Sequence, residues 1–321
     1  MDMYQKRKIR AEKKNNDSQK SFSKVSISWY PGHMAKTKKQ ITEDMKLIDI
    51  VVEILDARIP LSSQNPEVDI LTKGKKRIEI LNKSDLADNI ENNKWLQYFR
   101  KKGIEAVITD SNSGKGMNDV IKTIEKVFSE DKEIHSNKGR VGRAIRVLVI
   151  GIPNVGKSSF INRLSKRTSA KVGNKPGVTR QKQWIKINEN IQLLDTPGIL
   201  WPKLDENTVA LNLAYTGTIK DTIIDSTELV YYFINDMIKM GYLNRIIERY
   251  KLDSDEVENI LNDETYMENE RIMNLIDKIA LKRGAILSGG RIDYEKISNI
   301  ILNEYRDGKL GNITLETPSE L

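Results

Sequence analysis

Residues 151–158 read Gly-Ile-Pro-Asn-Val-Gly-Lys-Ser, between the apolar run 145–150 (IRVLVI) and the helical spacing of Phe160, Ile161 and Leu164. A strand that turns through glycines into a helix brings backbone N–H groups together on phosphate oxygens at the helix's positive end. Lys157 would set a charge at the β- and γ-phosphates, and the Ser158 hydroxyl suits Mg²⁺. Asn154, Val155, Gly156 and Ser159 complete the loop around them. A chain committed to this unit is committed to an α/β layered domain.

The neighbouring segments agree. Residues 49–56 (DIVVEILD) form a continuous apolar run between polar residues, as in a strand buried on both faces. Residues 77–82 and 104–109 are further strands. Met117, Val120, Ile121, Ile124, Val127 and Phe128 recur at helix spacing, which predicts an amphipathic helix over 116–129. Residues 183–187 and 191–195 predict a hairpin around 188–190. Alternating strands and helices imply a mostly parallel, helix-covered sheet. After Trp201-Pro202 the pattern turns helical through 206–307, and Pro is absent from 203 to 317. The expected division is a mobile arm over 1–25, a nucleotide domain over 26–202 and an all-α domain over 203–321.

Asp195-Thr196-Pro197-Gly198 closes a strand 38 residues after Lys157. A carboxylate there holds Mg²⁺ through water, while the Gly198 N–H meets the γ-phosphate. Between the two motifs lies Pro176-Gly177-Val178-Thr179-Arg180, where Thr179 is placed to ligate Mg²⁺ when the γ-phosphate is present. The plainer alternative for Thr179 is an ordinary loop hydroxyl.

Asn82-Lys83-Ser84-Asp85 also follows a strand, and N-K-x-D is a guanine-reading pattern. The Asp85 carboxylate accepts from the base N1–H and the exocyclic N2 amine. Adenine offers neither donor there, so ATP would leave the carboxylate unpaired. Asn82 would brace the loop and the Lys83 stem would cover the base face. Ser111-Asn112, after the next strand, suit the second guanine loop, where a backbone N–H meets O6.

In the usual GTPase order the phosphate loop comes first and N-K-x-D last. Here the order is 82–85, 151–158, Thr179, then 195–198, which reads as a circular permutation. Surface loops can be cut and rejoined without disturbing a sheet. The new junction is the basic loop 130–143, and the new cut follows D-T-P-G, so the helical domain is expected to respond to nucleotide state.

Charge narrows the partners. Residues 1–40 hold 11 Lys/Arg against 3 Asp/Glu, 41–202 hold 28 against 20, and 203–321 hold 14 against 22. A basic arm and first domain suit a polyanion, although basic tails also simply aid solubility. Within the acidic C-terminal part, Lys278, Lys282, Arg283, Arg291, Arg306 and Lys309 suggest a local basic patch for RNA; the alternative is a solvated helix face. With no Cys and two His, disulfides, a catalytic thiol and a thiolate metal site are excluded. No apolar run approaches the ~18 residues of a membrane span. The charged N-terminal stretch lacks the apolar core of a secretory signal. A cytoplasmic protein, monomeric in solution and without a membrane partner, is expected.

The chain resembles the circularly permuted GTPases, specifically the bacterial ribosome biogenesis GTPase A family. Three further segments carry the likeness: Trp29-Tyr30-Pro31-Gly32-His33-Met34-Ala35-Lys36; Asp56-Ala57-Arg58-Ile59-Pro60 with Asn65; and Arg283-Gly284, Gly289-Gly290, Asp293 with Gly308-Lys309-Leu310-Gly311. The match spans 27–318. It implies a factor for late assembly of the large (50S) ribosomal subunit, binding GTP and GDP and contacting rRNA and ribosomal proteins of the precursor through both domains. Many small GTPases orient the attacking water with a Gln after the D-x-x-G glycine; here that residue is Ile199. Hydrolysis is therefore expected to be slow alone and accelerated on the particle. The resemblance offers His33 as the substitute catalytic group, beside Lys157 and Thr179; the alternative for His33 is packing in its Pro-Gly turn or touching RNA. Asn154 is at a place used for K⁺ in GTPases resembling this one, the alternative being a loop-stabilising side chain. A GTP-switched RNA-binding module with little catalytic role is the competing reading.

Overall fold

Strand β2 (Ile50–Asp56) buries all seven of its residues because it lies inside a six-stranded sheet. The structure is a computed structural model describing residues 27–28, 39, 41–130, 143–166, 183–196, 203–204, 207–219 and 225–318. The other strands are β1 (Ile27–Ser28), β3 (Lys76–Asn82), β4 (Glu105–Ile108), β5 (Ile145–Ile150), β6 (Gln183–Lys186), β7 (Ile191–Asp195) and β8 (Lys203–Leu204). The large sheet runs β4-β3-β2-β5-β7-β6, parallel throughout except for the β6–β7 hairpin. Each expected strand is present to within two residues.

The permutation reads directly in this order. The base-reading half (β2–β4) and the phosphate half (β5–β7) meet where β2 pairs with β5, Ile50 beside Val147 through Glu53 beside Ile150. Asp56 is the register partner of Asn82 and Val149 that of Asp195, so the polar strand ends gather at the carboxyl edge, where ligands of open α/β sheets bind. Helices α1 (Pro66–Leu71), α2 (Asn89–Lys101), α3 (Met117–Glu130) and α4 (Lys157–Lys166) accompany the sheet. In α3, Met117, Val120, Ile124 and Val127 are buried, as the 3.6-residue spacing requires.

Beyond β8 the described chain is helical: α5 (Asn207–Tyr215), α6 (Ser226–Lys239), α7 (Leu243–Tyr250), α8 (Ser254–Asn262), α9 (Glu268–Arg283) and α10 (Tyr294–Arg306). Asp225 caps α6, accepting from the N–H groups of Thr227 and Glu228. Phe233 packs against both Tyr215 and Tyr305, tying α5, α6 and α10 together. Among the described residues no helix is long and apolar enough to cross a membrane. Strand β1 pairs antiparallel with β8, Ile27 beside Leu204 and Ser28 beside Lys203, a contact sequence periodicity did not signal.

Strand β2 departs from its sequence reading in one respect: the apolar run contains Glu53, wholly buried beside its register partner Glu79 on β3. Glu53 accepts from the Asn65 N–H at 3.1 Å, and Glu79 takes the Arg77 Nε at 2.7 Å. Burial pushes the Glu53 carboxyl up to about 7 and raises Glu79 as well, the Glu53 charge adding to the rise at Glu79. A carboxyl raised in the folded state stabilises below its ordinary value and loses that contribution as pH climbs through about 7. Stability is thus expected to fall between pH 5 and 8, by on the order of 2 kcal/mol from this pair. Glu53→Gln keeps the acceptor for Asn65 and offers Glu79 an amide donor, so its thermal-unfolding midpoint should vary less across that range and exceed the parent's at pH 8. Parallel profiles would show that the pair is already neutralised by Arg77.

Candidate functional site

Asn82 ends β3, is 1% exposed, and uses its amide both as donor and as acceptor. Its Nδ2 donates to the Val155 carbonyl at 2.9 Å, while its Oδ1 accepts from Thr109 Oγ1 at 3.2 Å and Ser111 Oγ at 2.7 Å. One side chain thus joins the N-K-S-D loop, the loop after β4 and the phosphate loop. Close approach depends on Gly156: a Cβ there, at φ +92°, would lie 2.4 Å from Asn82 Nδ2.

Lys83 adopts φ +60° and swings its ammonium back to the Asn154 carbonyl at 2.6 Å and to Asp56 Oδ2 at 3.0 Å. Its side chain thereby bridges the N-K-S-D loop and the phosphate loop. Asp85 next door is exposed, free to meet a ligand's donors. Partial burial and the nearby Asp110 carboxylate raise its pKa. Asp56 is fully buried and doubly bonded to Arg58, Nε to Oδ1 at 2.9 Å and NH2 to Oδ2 at 2.8 Å. Burial alone would push the Asp56 carboxyl up, but the Arg58 and Lys83 cations outweigh it and hold it well below the carboxylate range. The Arg58 guanidinium also sits over the Tyr305 ring, 5.2 Å from its centroid.

On the phosphate side, β5 delivers Gly151 and α4 starts at Lys157. Val155 is buried, whereas Ser158 and Ser159 are exposed on the first turn of α4. Lys157 is half-buried; loss of water around its ammonium pulls its pKa down to about 8, opposed by the Asp195 carboxylate. Asp195 is buried at the end of β7, and Thr196 Oγ1 anchors the strand end on the Val149 carbonyl at 2.9 Å. The hydroxyl of Ser158 and the carboxylate of Asp195 are hard oxygen donors, a set that fits Mg²⁺.

At three places the structure gives expected site residues partners that the sequence did not indicate. In the Ser111-Asn112 loop the Asn112 N–H donates to Asp110 Oδ1 at 2.8 Å in an Asx turn, and Ser111 Oγ braces Asn82. Asn154 Nδ2 donates to the Gly217 carbonyl at 2.8 Å, tying the phosphate loop to the turn after α5. Of the six C-terminal cations, Lys278, Arg283 and Lys309 meet Glu256, Glu304 and Asp307, and Arg306 turns onto the carbonyls of Tyr215 and Ala214, while Lys282 and Arg291 are exposed. His33, Thr179, Gly198 and Ile199 lie outside the described residues, as do the arm 1–25, the junction near 202 and loop residues 131–142.

Sequence reasoning gave no role to Asp56 and Arg58. The available signal was an acid closing an apolar strand with a cation two residues on. It also missed Arg163, whose NH2 reaches from α4 to the Asn112 carbonyl.

The protein-family model described as 50S ribosome-binding GTPase matches residues 146–278, beginning within β5 and so after the base-reading loop. Ribosome biogenesis GTPase A of Bacillus cereus is 45% identical to this chain, over 92% of this chain and 95% of its own length. The protein of the same name from Priestia megaterium is 43% identical, over 92% and 98%. Among solved structures, GNP-bound YlqF from T. maritima superposes with a TM-score of 0.60 at 26% identity, covering 89% of this chain and 100% of that one. Its GDP-bound counterpart gives 0.61 at 25% identity, over 88% and 100%.

Proposed function

We propose, from the premise that this chain belongs to the ribosome biogenesis GTPase A family, that it serves assembly of the large ribosomal subunit, binding precursor particles with GTP and hydrolysing it faster there than alone. The chain is a GTPase. The observation carrying the reading is the stitching of guanine loop to phosphate loop, Asn82 to Val155 at 2.9 Å and Lys83 to Asn154 at 2.6 Å, which makes one site from two distant sequence segments.

In this reading Asp85 selects the base, Asn82 and Ser111 fix the loops, and Lys83 covers the base. The N–H groups from Asn154 to Ser159 and the Lys157 ammonium hold the phosphates. With a pKa near 8, Lys157 is mostly charged at neutral pH, and phosphate would favour its charged form further. Ser158, Asp195 and Thr179 would hold Mg²⁺, which when bound neutralises charge on the β- and γ-oxygens. Asn154 would serve K⁺ through its side-chain oxygen. Ile199 cannot orient water, and His33 is the group proposed to do so. The β1–β8 pairing supports that assignment: Ser28, five residues before His33, lies beside Lys203, five residues after Gly198. The proposed organisation is an arm over 1–25, a permuted GTPase domain over 26–202 and a helical domain over 203–321 that helps hold the particle.

The test is GTP turnover with no particle, with large-subunit precursors and with mature subunits, in K⁺ and in Na⁺. Expected is a rate on the order of 10⁻⁴–10⁻³ s⁻¹ alone, rising at least tenfold with precursors in K⁺. His33→Ala should abolish the increase and leave GTP binding intact. A rate indifferent to every particle would overturn the assembly reading.

A further inference from the structure

The C-terminal pattern Gly308-Lys309-Leu310-Gly311 leads into a segment, 312–316, that leaves the helical region and lies along the guanine loop. Asn312 Nδ2 donates to the Asp85 carbonyl at 2.9 Å and to the Ala87 carbonyl at 3.0 Å. The Ile313 N–H donates to the Leu86 carbonyl at 3.0 Å, and the Asp88 N–H donates to Thr314 Oγ1 at 3.0 Å. Four consecutive residues, 85 to 88, are therefore held by three consecutive residues of the strap, and Asp85 is the residue read above as selecting guanine.

Both ends of the strap are anchored. Toward the helical region, Leu310 is buried and Tyr242 OH donates to the Thr314 carbonyl at 3.3 Å. At the far end the Leu315 N–H donates to the Arg58 carbonyl at 2.8 Å, and Trp95 Nε1 to the Glu316 carbonyl at 3.0 Å. The Glu316 carboxylate accepts from the Leu61 N–H at 2.7 Å and from Asn212 Nδ2 at 3.1 Å. The strap is thus part of the packing between the helical region and the sheet, with the base loop lying beneath it.

We propose that Asn312 is a positioning residue for guanine recognition: by holding the carbonyls of Asp85 and Ala87 it fixes the height of the base-reading carboxylate, and through it the docking of the helical region sets how tightly guanine nucleotides are held. This rests on the reading of Asp85 as the guanine-selecting group. It places the coupling between helical region and nucleotide at the base, whereas chain connectivity alone points to the segment after D-T-P-G. Asn312 is exposed, so its loss should leave the fold intact.

The test uses the full chain and Asn312→Ala, with GDP, IDP and ADP competing against a fluorescent GDP analogue, and thermal unfolding alongside. IDP lacks the N2 amine that Asp85 reads, so the GDP-to-IDP affinity ratio reports the carboxylate's placement; mere loss of stability does not move it. The parent protein should prefer GDP to IDP and exclude ADP. In Asn312→Ala, GDP affinity should fall about 3- to 10-fold, the size of one or two modest hydrogen bonds, and the GDP-to-IDP ratio should fall at least threefold with the unfolding midpoint unchanged. Asn312→Asp, which sets a carboxylate against two carbonyls, should fall further. A parent protein without GDP preference would sink the reading of Asp85 and the inference with it. A parent with that preference, matched by an unaltered ratio in both variants, would overturn the role of Asn312 alone.

Discussion

Asp85→Asn converts the protein from a guanine binder to a xanthine binder. The carboxylate of Asp85 only accepts, and guanine answers it with two donors, N1–H and the N2 amine. Xanthine keeps N1–H but carries a carbonyl at C2. An asparagine amide has one acceptor for N1–H and one donor for that carbonyl, whereas against guanine its NH₂ would face the N2 amine. Losing two charge-assisted hydrogen bonds and gaining a donor–donor clash should cost about 3–5 kcal/mol, roughly 10²–10³-fold in GTP affinity or more. XTP affinity should rise by a comparable factor. Displacement of a fluorescent nucleotide by GTP and XTP measures both, and unchanged selectivity would remove Asp85 from the base pocket. The exposed position of Asp85 keeps the fold out of the comparison.

Asp56→Ala should be the most destabilising of the substitutions considered. Arg58 is 1% exposed and donates both of its short side-chain hydrogen bonds to Asp56. Removing the carboxylate leaves a buried guanidinium without its counter-charge and takes one of Lys83's two partners. Breaking a buried pair from one side typically costs 3–5 kcal/mol, which in a chain of this size lowers the unfolding midpoint by roughly 10 °C. Asp56→Ala with Arg58→Met removes both charges and keeps apolar volume against Tyr305, so it should recover most of the loss. Thermal unfolding of the single and double variants decides this: if the double variant is no more stable than the single, the charge pair is not the source of the cost. The effect should also reach the ligand, because Lys83 Nζ spans Asp56 and the phosphate loop, so GDP should dissociate faster from any Asp56→Ala that remains folded.

Much of this was readable in the chain before its fold was known, for a physical reason. Phosphate binding needs glycines, a lysine and a hydroxyl at fixed offsets between a strand and a helix, and guanine selection needs a carboxylate beside a bracing amide. Those are local demands, so 151–158 and 82–85 advertise themselves. Their reversed order read as a circular permutation, and the pairing of β2 with β5 joins the two halves. Burial periodicity likewise located α3 and the β6–β7 hairpin. What stayed hidden depends on partners far along the sequence. Glu53 sits in an otherwise apolar run, and only the approach of the Asn65 N–H and Arg77 makes its burial tolerable. Asn154 gives its amide N–H to the Gly217 carbonyl, a contact that its residue type does not announce. Of the six C-terminal cations, Lys278 and Arg283 find their acids on other helices, pairings that no local pattern announces. Asn312 carries no local signal at all.

The strap has a consequence for how the protein comes into being. Asn312 follows Asp85 by 227 positions, so residues 85–88 are translated long before the segment that fastens them. A nascent chain, or a fragment cut anywhere in between, presents those backbone carbonyls open to water with the selecting carboxylate unsupported. If Asn312 positions the loop as proposed, a product that ends before the strap should hold guanine nucleotides more weakly than the full chain.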